Sequence, residues 1–197
     1  AKMSEEDKNL FTGYLEKDYL DDVAIKVYAT LAQAFPDFVT QENAQAFFKR
    51  AEQGFSSARY TALKSLVALS KVSPTYFKPK KVFGTLIAFL QERHMQDQFK
   101  TTAIEALQEL ISDGKDIKWF DDNDNKAKLL SGLVTTMACA YQDDSPRDAA
   151  KGLFLQLKPS DDESFKAIFS VRLEREPGSE GFLALYSILE ELVMRDN

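Results

Sequence analysis

The stretch SSARYTALKSLVALS, residues 57–71, has a counterpart further along the chain in QFKTTAIEALQELIS, residues 98–112. In each stretch an alanine is followed four positions later by a leucine, which gives the pairs Ala62/Leu66 and Ala103/Leu107. Residues four positions apart lie on one face of an α-helix, and a small residue there lets a second helix approach closely. Both stretches are therefore predicted to be amphipathic helices with equivalent packing faces.

The same arrangement is expected along the whole chain, as an amphipathic helix, a short polar turn and a second helix that carries the anchor pair. The five expected anchor pairs are Val27/Leu31, Ala62/Leu66, Ala103/Leu107, Ala149/Leu153 and Ala184/Ile188. The corresponding repeats are expected at about 5–36, 40–73, 80–113, 126–158 and 162–195. Helix starts are predicted at Ser4, Thr40 and Ser145, where a capping side chain precedes an amphipathic run, and the acidic residues of SDDE, residues 160–163, predict the first turn of another helix. A period near 40 residues is typical of helical repeat proteins, whose stacked units share one core.

The unit VFGTLIAFLQERHMQDQFKTTAIEALQELIS, residues 82–112, resembles a HEAT or armadillo repeat. The resemblance implies an all-α protein folded as a right-handed α-solenoid, an α-α superhelix of about five HEAT/ARM-like helix pairs. We expect a single helical-repeat domain over residues 1–197, as part of a longer protein. The proline and the Asp and Arg common in HEAT repeats are shifted or absent in most units. A non-repetitive helical bundle is the alternative, because Ala-x-x-x-Leu occurs in any buried helix.

Composition narrows the class of protein. The chain has 44% apolar and 28% charged residues and a net charge of −6, which is typical of a folded domain and unfavourable for binding nucleic acid. Its one cysteine, Cys139, cannot form an intramolecular disulfide. No apolar run reaches the roughly 20 residues that span a bilayer. We therefore expect a cytoplasmic or nuclear protein that does not bind a membrane.

Patterns that would indicate catalysis or a cofactor are weak. His94 is the one histidine and has only carboxylates nearby in sequence, so a zinc site is not expected. Cys139 lies on an apolar helix face and is expected to be a buried, inert thiol. DDNDN, residues 121–125, resembles the start of a calcium loop but lacks the glycine and the final glutamate. No phosphate-binding glycine motif occurs. We expect a protein that is not an enzyme and has no cofactor or metal.

Two sets of surface residues are the candidates for binding a protein partner. Counting two positions on from each anchor gives a ladder along the second helices, which usually line the binding face in HEAT and armadillo proteins: Ala29, Lys64, Glu105, Lys151 and Tyr186. The segment YFKPKKVF, residues 76–83, adds a basic cluster that either contacts an acidic protein segment or is a solvated loop: Lys78, Lys80 and Lys81. Trp119 and Phe120 are expected in the core, with an exposed anchor as the alternative.

These patterns favour a non-catalytic scaffold, adaptor or chaperone-like assembly factor that binds a protein partner. A tubulin-binding array like a TOG domain, or a fragment of a nuclear transport receptor, is the alternative. A helical enzyme with a carboxylate cluster is the weakest of these hypotheses. The helix predicted over 181–197 is apolar on much of its surface, so we expect it to dock on a further repeat, a partner or a second copy.

Overall fold

The computed structural model describes residues 4–16, 21–53, 56–92, 95–112, 123–139 and 145–170, together with positions 183, 186, 187 and 190. Within these residues the chain is all-helical and contains no strand, so the prediction of an all-α protein is confirmed. The helices are α1 Glu5–Glu16, α2 Asp21–Ala34, α3 Gln41–Gln53, α4 Ser56–Val72, α5 Pro79–Gln91, α6 Asp97–Ser112, α7 Asn123–Cys139, α8 Ser145–Gln156 and α9 Asp161–Ser170. A short 3-10 helix, Pro36–Phe38, lies between α2 and α3.

Side-chain caps begin α1 and α3 at the predicted Ser4 and Thr40, and α9 at Ser160, whereas the expected cap Ser145 is itself the first residue of α8. The Asp7 amide donates to the Ser4 hydroxyl over 3.1 Å at the start of α1. At α3 the Asn43 amide donates to Thr40 Oγ1 over 3.3 Å, and the Thr40 amide donates back to Asn43 Oδ1 over 2.8 Å. Ser160 and Glu163 form the same reciprocal cap at α9, where each amide donates to the other residue's side chain. Each cap satisfies an amide that has no partner inside the helix.

Contacts between Cα atoms divide the chain into two compact units, Ala1–Thr85 and Leu86–Asn197, with the boundary inside α5. In the first unit α1 contacts α2 and α3, and α4 contacts α2 and α3. In the second unit α8 contacts α6 and α7, and α7 contacts α9. The expectation of one repeat domain stays a prediction.

An aromatic cluster around Tyr28 forms the core of the first unit. The Tyr28 ring centroid lies 5.3 Å from that of Phe38, 5.4 Å from Phe47 and 6.4 Å from Phe77. Phe77 comes from the turn between α4 and α5, where its amide bonds to the Ser73 carbonyl over 2.9 Å. Rings at these separations add favourable pairwise contacts to the burial of apolar surface. The cluster therefore ties α2, α3 and this turn together.

The expected anchor pair of α2 is wrong by one residue. Tyr28 and Ala32 are fully buried, whereas Val27 is 36% exposed and Leu31 is half-buried. The shift follows from Tyr28. In the core its ring packs on other aromatic rings and its hydroxyl donates to Asn43 Oδ1 over 2.8 Å. A valine one position earlier has no comparable partner.

The anchor pairs of α4 and α6 lie as the sequence predicts. Ala62, Leu66, Ala103 and Leu107 are fully buried. In α8, Leu153 is buried and Ala149 is half-buried, so this pair is confirmed only at its leucine. Ala184 and Ile188 lie outside the described residues.

Within the second unit, α7 passes very close to the end of α5. A Cβ atom added at Gly132 would lie 3.0 Å from the Leu90 Cβ atom, and the neighbouring Thr136 hydroxyl lies 3.5 Å from the Leu90 carbonyl oxygen. The missing side chain at Gly132 is what lets the two backbones approach. In the described part of the chain, no helix is both long and apolar enough to cross a membrane.

Candidate interaction surface on α2 and α4

A shallow groove of about 330 Å³ runs between α2 and α4 in the first unit. It is lined by polar and charged side chains, which are Asp22, Lys26, Ser57, Tyr60, Thr61, Lys64 and Ser65. The α4 helix buries its opposite face, including Ala58, Ala62, Leu66 and Leu69. The amphipathic pattern of α4 therefore directs Lys64 to the groove, as the sequence predicts for a surface position.

A hydrogen bond between the two helices holds the groove in shape. The Thr61 hydroxyl donates to Asp22 Oδ1 over 2.5 Å, and the Lys26 ammonium donates to Asp22 Oδ2 over 3.0 Å. The hydrogen bond from Thr61 and then that from Lys26 hold the pKa of Asp22 below its usual value, against a smaller opposing effect of burial. Asp22 is therefore ionised at neutral pH and already occupied by two donors.

The charge that faces a ligand in the groove is cationic. The Lys64 ammonium lies 4.5 Å from the Tyr60 ring centroid, within the range of a cation–π interaction. Lys26 is 64% exposed at its side chain. Lys26 pairs with Asp22, so the charged residues that line the groove, Lys26, Lys64 and Asp22, carry two positive charges and one negative charge, and the groove favours an anionic group in a partner.

Two exposed apolar side chains lie on α2, the helix that contributes Asp22 and Lys26 to the groove. Val23 is 63% exposed and Val27 is 36% exposed. They lie four positions apart, on one face of α2, and each is next in sequence to a groove-lining residue, Asp22 or Lys26. The surface therefore combines aliphatic contact area with cations, which is typical of a protein interface and not of a small polar pocket.

The remaining ladder residues are placed on the surface of the second unit. Glu105 is exposed on α6 and Tyr186 is 53% exposed. Lys151 on α8 is half-buried, and its ammonium donates to the Ser187 hydroxyl over 3.4 Å. Because Lys64 lies in the first unit and these residues lie in the second, a single ladder through all of them stays a prediction.

Ala29, the first expected member of the ladder, is buried at 5% exposure. The reason is the register of α2. Two positions after the observed anchor Tyr28 lies Thr30, which is exposed. The residue equivalent to Lys64 on α2 is therefore Thr30.

The predicted basic cluster lies at the start of α5. Lys78, Lys80 and Lys81 are all exposed, and no acidic residue occupies the first turn of the helix. The Lys81 ammonium lies 3.9 Å from the Phe48 ring centroid, at the edge of the aromatic cluster. The lysine charges add to the positive end of the helix dipole. This end of α5 therefore attracts anionic groups.

A larger groove of about 620 Å³ between α7 and α9 was missed by sequence reasoning. Lys126 of α7 donates to Glu163 Oε2 of α9 over 2.8 Å, and the same oxygen accepts from the Ser160 amide over 2.8 Å. The hydrogen bond from Lys126 lowers the pKa of Glu163, with the Ser160 amide acting in the same direction. The Ser160–Glu163 capping pattern was visible in the sequence, but the pairing with Lys126 depends on tertiary packing.

A buried lysine in the second unit was also missed. Lys100 of α6 is fully buried, and its ammonium has no hydrogen-bond partner. It lies three and four positions before Ala103 and Ile104, so the helical period already places it on the apolar face. Burial lowers the pKa of Lys100, and the nearby carboxylates of Asp97 and Glu92 are among the groups that oppose that shift.

Several residues weighed for chemistry lie outside the described residues, namely His94, Trp119, Phe120 and the first two positions of DDNDN. The described remainder of that segment forms the start of α7. Cys139 is half-buried at the end of α7, so the expectation of a buried thiol is wrong, and the expectation that it is inert stays a prediction. Among the described residues no three His, Cys, Asp or Glu side chains form a group that could hold a metal ion.

No known protein family, curated protein or solved structure is significantly similar to this chain. The resemblance of residues 82–112 to a HEAT or armadillo repeat rests on the residues of that segment alone. The helix contacts and the α2/α4 groove are therefore the basis for inferring function.

Proposed function

We propose that this chain is a non-catalytic scaffold, adaptor or assembly factor of the cytoplasm or nucleus, and that it binds a protein partner on the α2/α4 surface. This surface consists of Val23, Lys26, Val27, Tyr60 and Lys64. The observation that carries the proposal is the combination of two exposed valines on α2 with a groove that has an excess of positive charge.

The helix contacts support a stacked-pair arrangement behind this surface. Contacts within pairs join α1 to α2, α3 to α4 and α7 to α8. Contacts between like helices of neighbouring pairs join α1 to α3, α2 to α4, α6 to α8 and α7 to α9. Both kinds are expected in a HEAT/ARM-like solenoid, in which each pair packs on its neighbours. We therefore propose that α2 and α4 are the second helices of successive repeats and that α2/α4 forms part of a continuous binding face.

The chemistry of the groove indicates the kind of segment that would bind. A helix or extended segment with two carboxylates could pair with Lys26 and Lys64 while an aliphatic side chain packs on Val23 and Val27. Exposed ion pairs contribute about 0.2–1 kcal/mol each. Reversal of both lysine charges replaces two attractions with two repulsions and would cost about 2 kcal/mol, roughly a 30-fold loss of affinity.

The test uses the intact chain as bait and quantifies bound proteins for the wild type and for the double variant Lys26→Glu/Lys64→Glu. We expect a discrete set of proteins to be lost by the double variant and weakened by raised salt. Lys166→Glu is the matched control, because Lys166 pairs with Asp162 at i,i+4 as Lys26 pairs with Asp22. The Lys166→Glu variant should bind the same set of proteins as the wild type.

An identical set of bound proteins for wild type and double variant would refute the α2/α4 surface. Circular dichroism must show the same helicity for both, since the substituted side chains lie on the surface. Enrichment of tubulin or of transport cargo would favour the alternative functions of a TOG-like array or a transport receptor fragment.

A further inference from the structure

A helical face in the second unit exposes two apolar side chains and a carboxylate. Positions 183, 186, 187 and 190 are helical. Leu183 is 57% exposed, Tyr186 is 53% exposed, and Glu190 is exposed as well. Because these three residues are three and four positions apart, they form one stripe along the helix. We call Leu183, Tyr186 and Glu190 the 183–190 stripe.

The edge of this stripe is held against α8. The Ser187 hydroxyl accepts from the Lys151 ammonium over 3.4 Å, and Ser187 is half-buried. This contact leaves the neighbouring Tyr186 exposed. Tyrosine is enriched in protein interfaces, where its ring supplies apolar contact area and its hydroxyl stays at the polar rim. The stripe therefore has the composition of a contact surface.

The apolar part of the stripe matches the α2/α4 surface in size and spacing. Val23 and Val27 are exposed on α2 and lie about 6 Å apart along its axis. Leu183 and Tyr186 lie about 4.5 Å apart along their own helix axis. Two helices that pack side by side at the usual interaxial distance can place these two apolar pairs in contact.

The charges of the two surfaces are opposite. The charged groove residues Lys26, Lys64 and Asp22 sum to one positive charge. Residues 181–197 contain three acidic residues and one basic residue. Glu190 lies one turn beyond Tyr186, so an exposed carboxylate adjoins the apolar pair as the lysines adjoin the valines. Opposite charges beside an apolar contact favour this pairing over a contact between like surfaces.

We propose that a second copy of this chain is a partner of the α2/α4 surface, and that it binds there through its 183–190 stripe. The inference rests on the function proposed above and names the partner. The apolar pair of one copy packs on the two valines of the other, and Glu190 pairs with Lys64. Because each contact joins two different surfaces, copies associate either reciprocally as a dimer or head to tail as a chain.

The experiment measures self-association of the intact chain by sedimentation velocity at increasing protein concentration. The surface variant Lys26→Glu/Lys64→Glu should associate roughly 30-fold more weakly than the wild type, since two attractions become repulsions. The stripe variant Leu183→Ser/Tyr186→Ser should associate about tenfold more weakly or less, because it removes the aromatic anchor and its apolar neighbour. Equal association of the wild type and either variant would overturn the proposal.

Mixing the two variants gives the sharpest result. The surface variant keeps an intact stripe and the stripe variant keeps an intact α2/α4 surface. We therefore expect two proteins that are monomeric alone to form a heterodimer when mixed. Variants that lose self-association and do not recover it on mixing would overturn the proposal.

Two matched controls should associate as the wild type does. Lys166→Glu reverses an exposed lysine on α9, and Leu10→Ser removes a leucine that is 55% exposed on α1. Circular dichroism must show the same helicity for every variant. If the stripe variant loses helicity, Glu190→Lys replaces it and should weaken association about fivefold, and association as strong as that of the wild type would overturn the proposal.

The same proteins separate this inference from the function on which it rests. A wild type that stays monomeric, while its bait captures proteins that Lys26→Glu/Lys64→Glu loses, would overturn the inference and leave the proposed function intact. Self-association that recovers on mixing would support the inference even when the bait captures no other protein.

Discussion

Asn43 holds the most concentrated polar network in the described part of the first unit, and its replacement gives a sharp test of the core. Its side-chain oxygen accepts from the Tyr28 hydroxyl and the Thr40 amide, each over 2.8 Å. Its side-chain nitrogen donates to the Phe38 carbonyl over 2.9 Å. Asn43 and Tyr28 are both fully buried. Asn43→Ala removes all three bonds at once.

The cost follows from the groups that are left without partners. The Tyr28 hydroxyl and the Phe38 carbonyl belong to fully buried residues, and stranding each costs about 1–3 kcal/mol. Thr40 is half-buried, so its amide can reach water at lower cost. We expect Asn43→Ala to lower the free energy of unfolding by about 3 kcal/mol, which corresponds to a Tm lower by roughly 6–12 °C in a chain of this size.

Tyr28→Phe is the matched change, because it removes the hydroxyl without stranding any group. The Asn43 oxygen still accepts from Thr40, so we expect a loss of only about 1 kcal/mol. The double variant no longer contains a stranded hydroxyl. Its cost should therefore be smaller than the sum of the two single costs by about 1 kcal/mol or more.

Urea unfolding followed by circular dichroism at 222 nm, at neutral pH, measures all four proteins. A cost for Asn43→Ala below about 1 kcal/mol would refute the network as a source of stability. Additive single and double costs, within about 0.5 kcal/mol, would show that Tyr28 and Asn43 do not depend on each other.

Two further predictions concern the second unit. Gly132→Ala should destabilise the protein by about 1 kcal/mol or more, because the new methyl group would lie 3.0 Å from the Leu90 Cβ atom and the helices must separate. Gly152→Ala should instead stabilise the protein by up to about 1 kcal/mol, since nothing lies within 4 Å of the new Cβ atom and alanine favours the helix. Equal stabilities of the two variants in urea unfolding would contradict the close approach of Gly132 to Leu90. Glu163→Gln should lower stability by up to about 1 kcal/mol at pH 7 and by progressively less as the pH falls through the folded pKa of Glu163. The hydrogen bond from Lys126 lowers the folded pKa of Glu163. The stability that this bond contributes is therefore fully present above the unfolded pKa, about 4.3, and is lost as the pH falls through the folded pKa. A difference in unfolding free energy between Glu163→Gln and wild type that stays constant from about pH 3 to 7 would contradict this prediction.

Individual residues show how far sequence reasoning reached. The helical period placed Ala62 and Leu66 in the core and Lys64 on the opposite surface, because all three positions follow from local geometry. The same reasoning failed at Val27, where apolar character alone did not reveal that Tyr28 would take the buried position. A tyrosine has an apolar ring and a polar end, and only the location of Asn43 decides which way it points.

The candidate site also contains some residues that the sequence predicted and others that only the structure revealed. Lys64 was a predicted contact residue, but Asp22 and Thr61, which shape the groove beside it, come from two helices and are 39 residues apart. Val27 of α2 was expected to be a core anchor, and its exposure follows from the shifted register. Lys100 was on the expected apolar face, yet its lack of an acceptor depends on every side chain packed around it.

The sequence by itself determined that the described chain is helical, where several of its helices begin, and which faces of α4 and α6 are buried. Those properties depend on hydrogen bonds and side-chain spacing within a few residues. Only the tertiary structure decided the register of α2, the α2/α4 groove, the Lys126–Glu163 pair and the burial of Lys100 without an acceptor. These features arise between helices, where the packing of whole side chains selects one arrangement among many that the same local pattern allows.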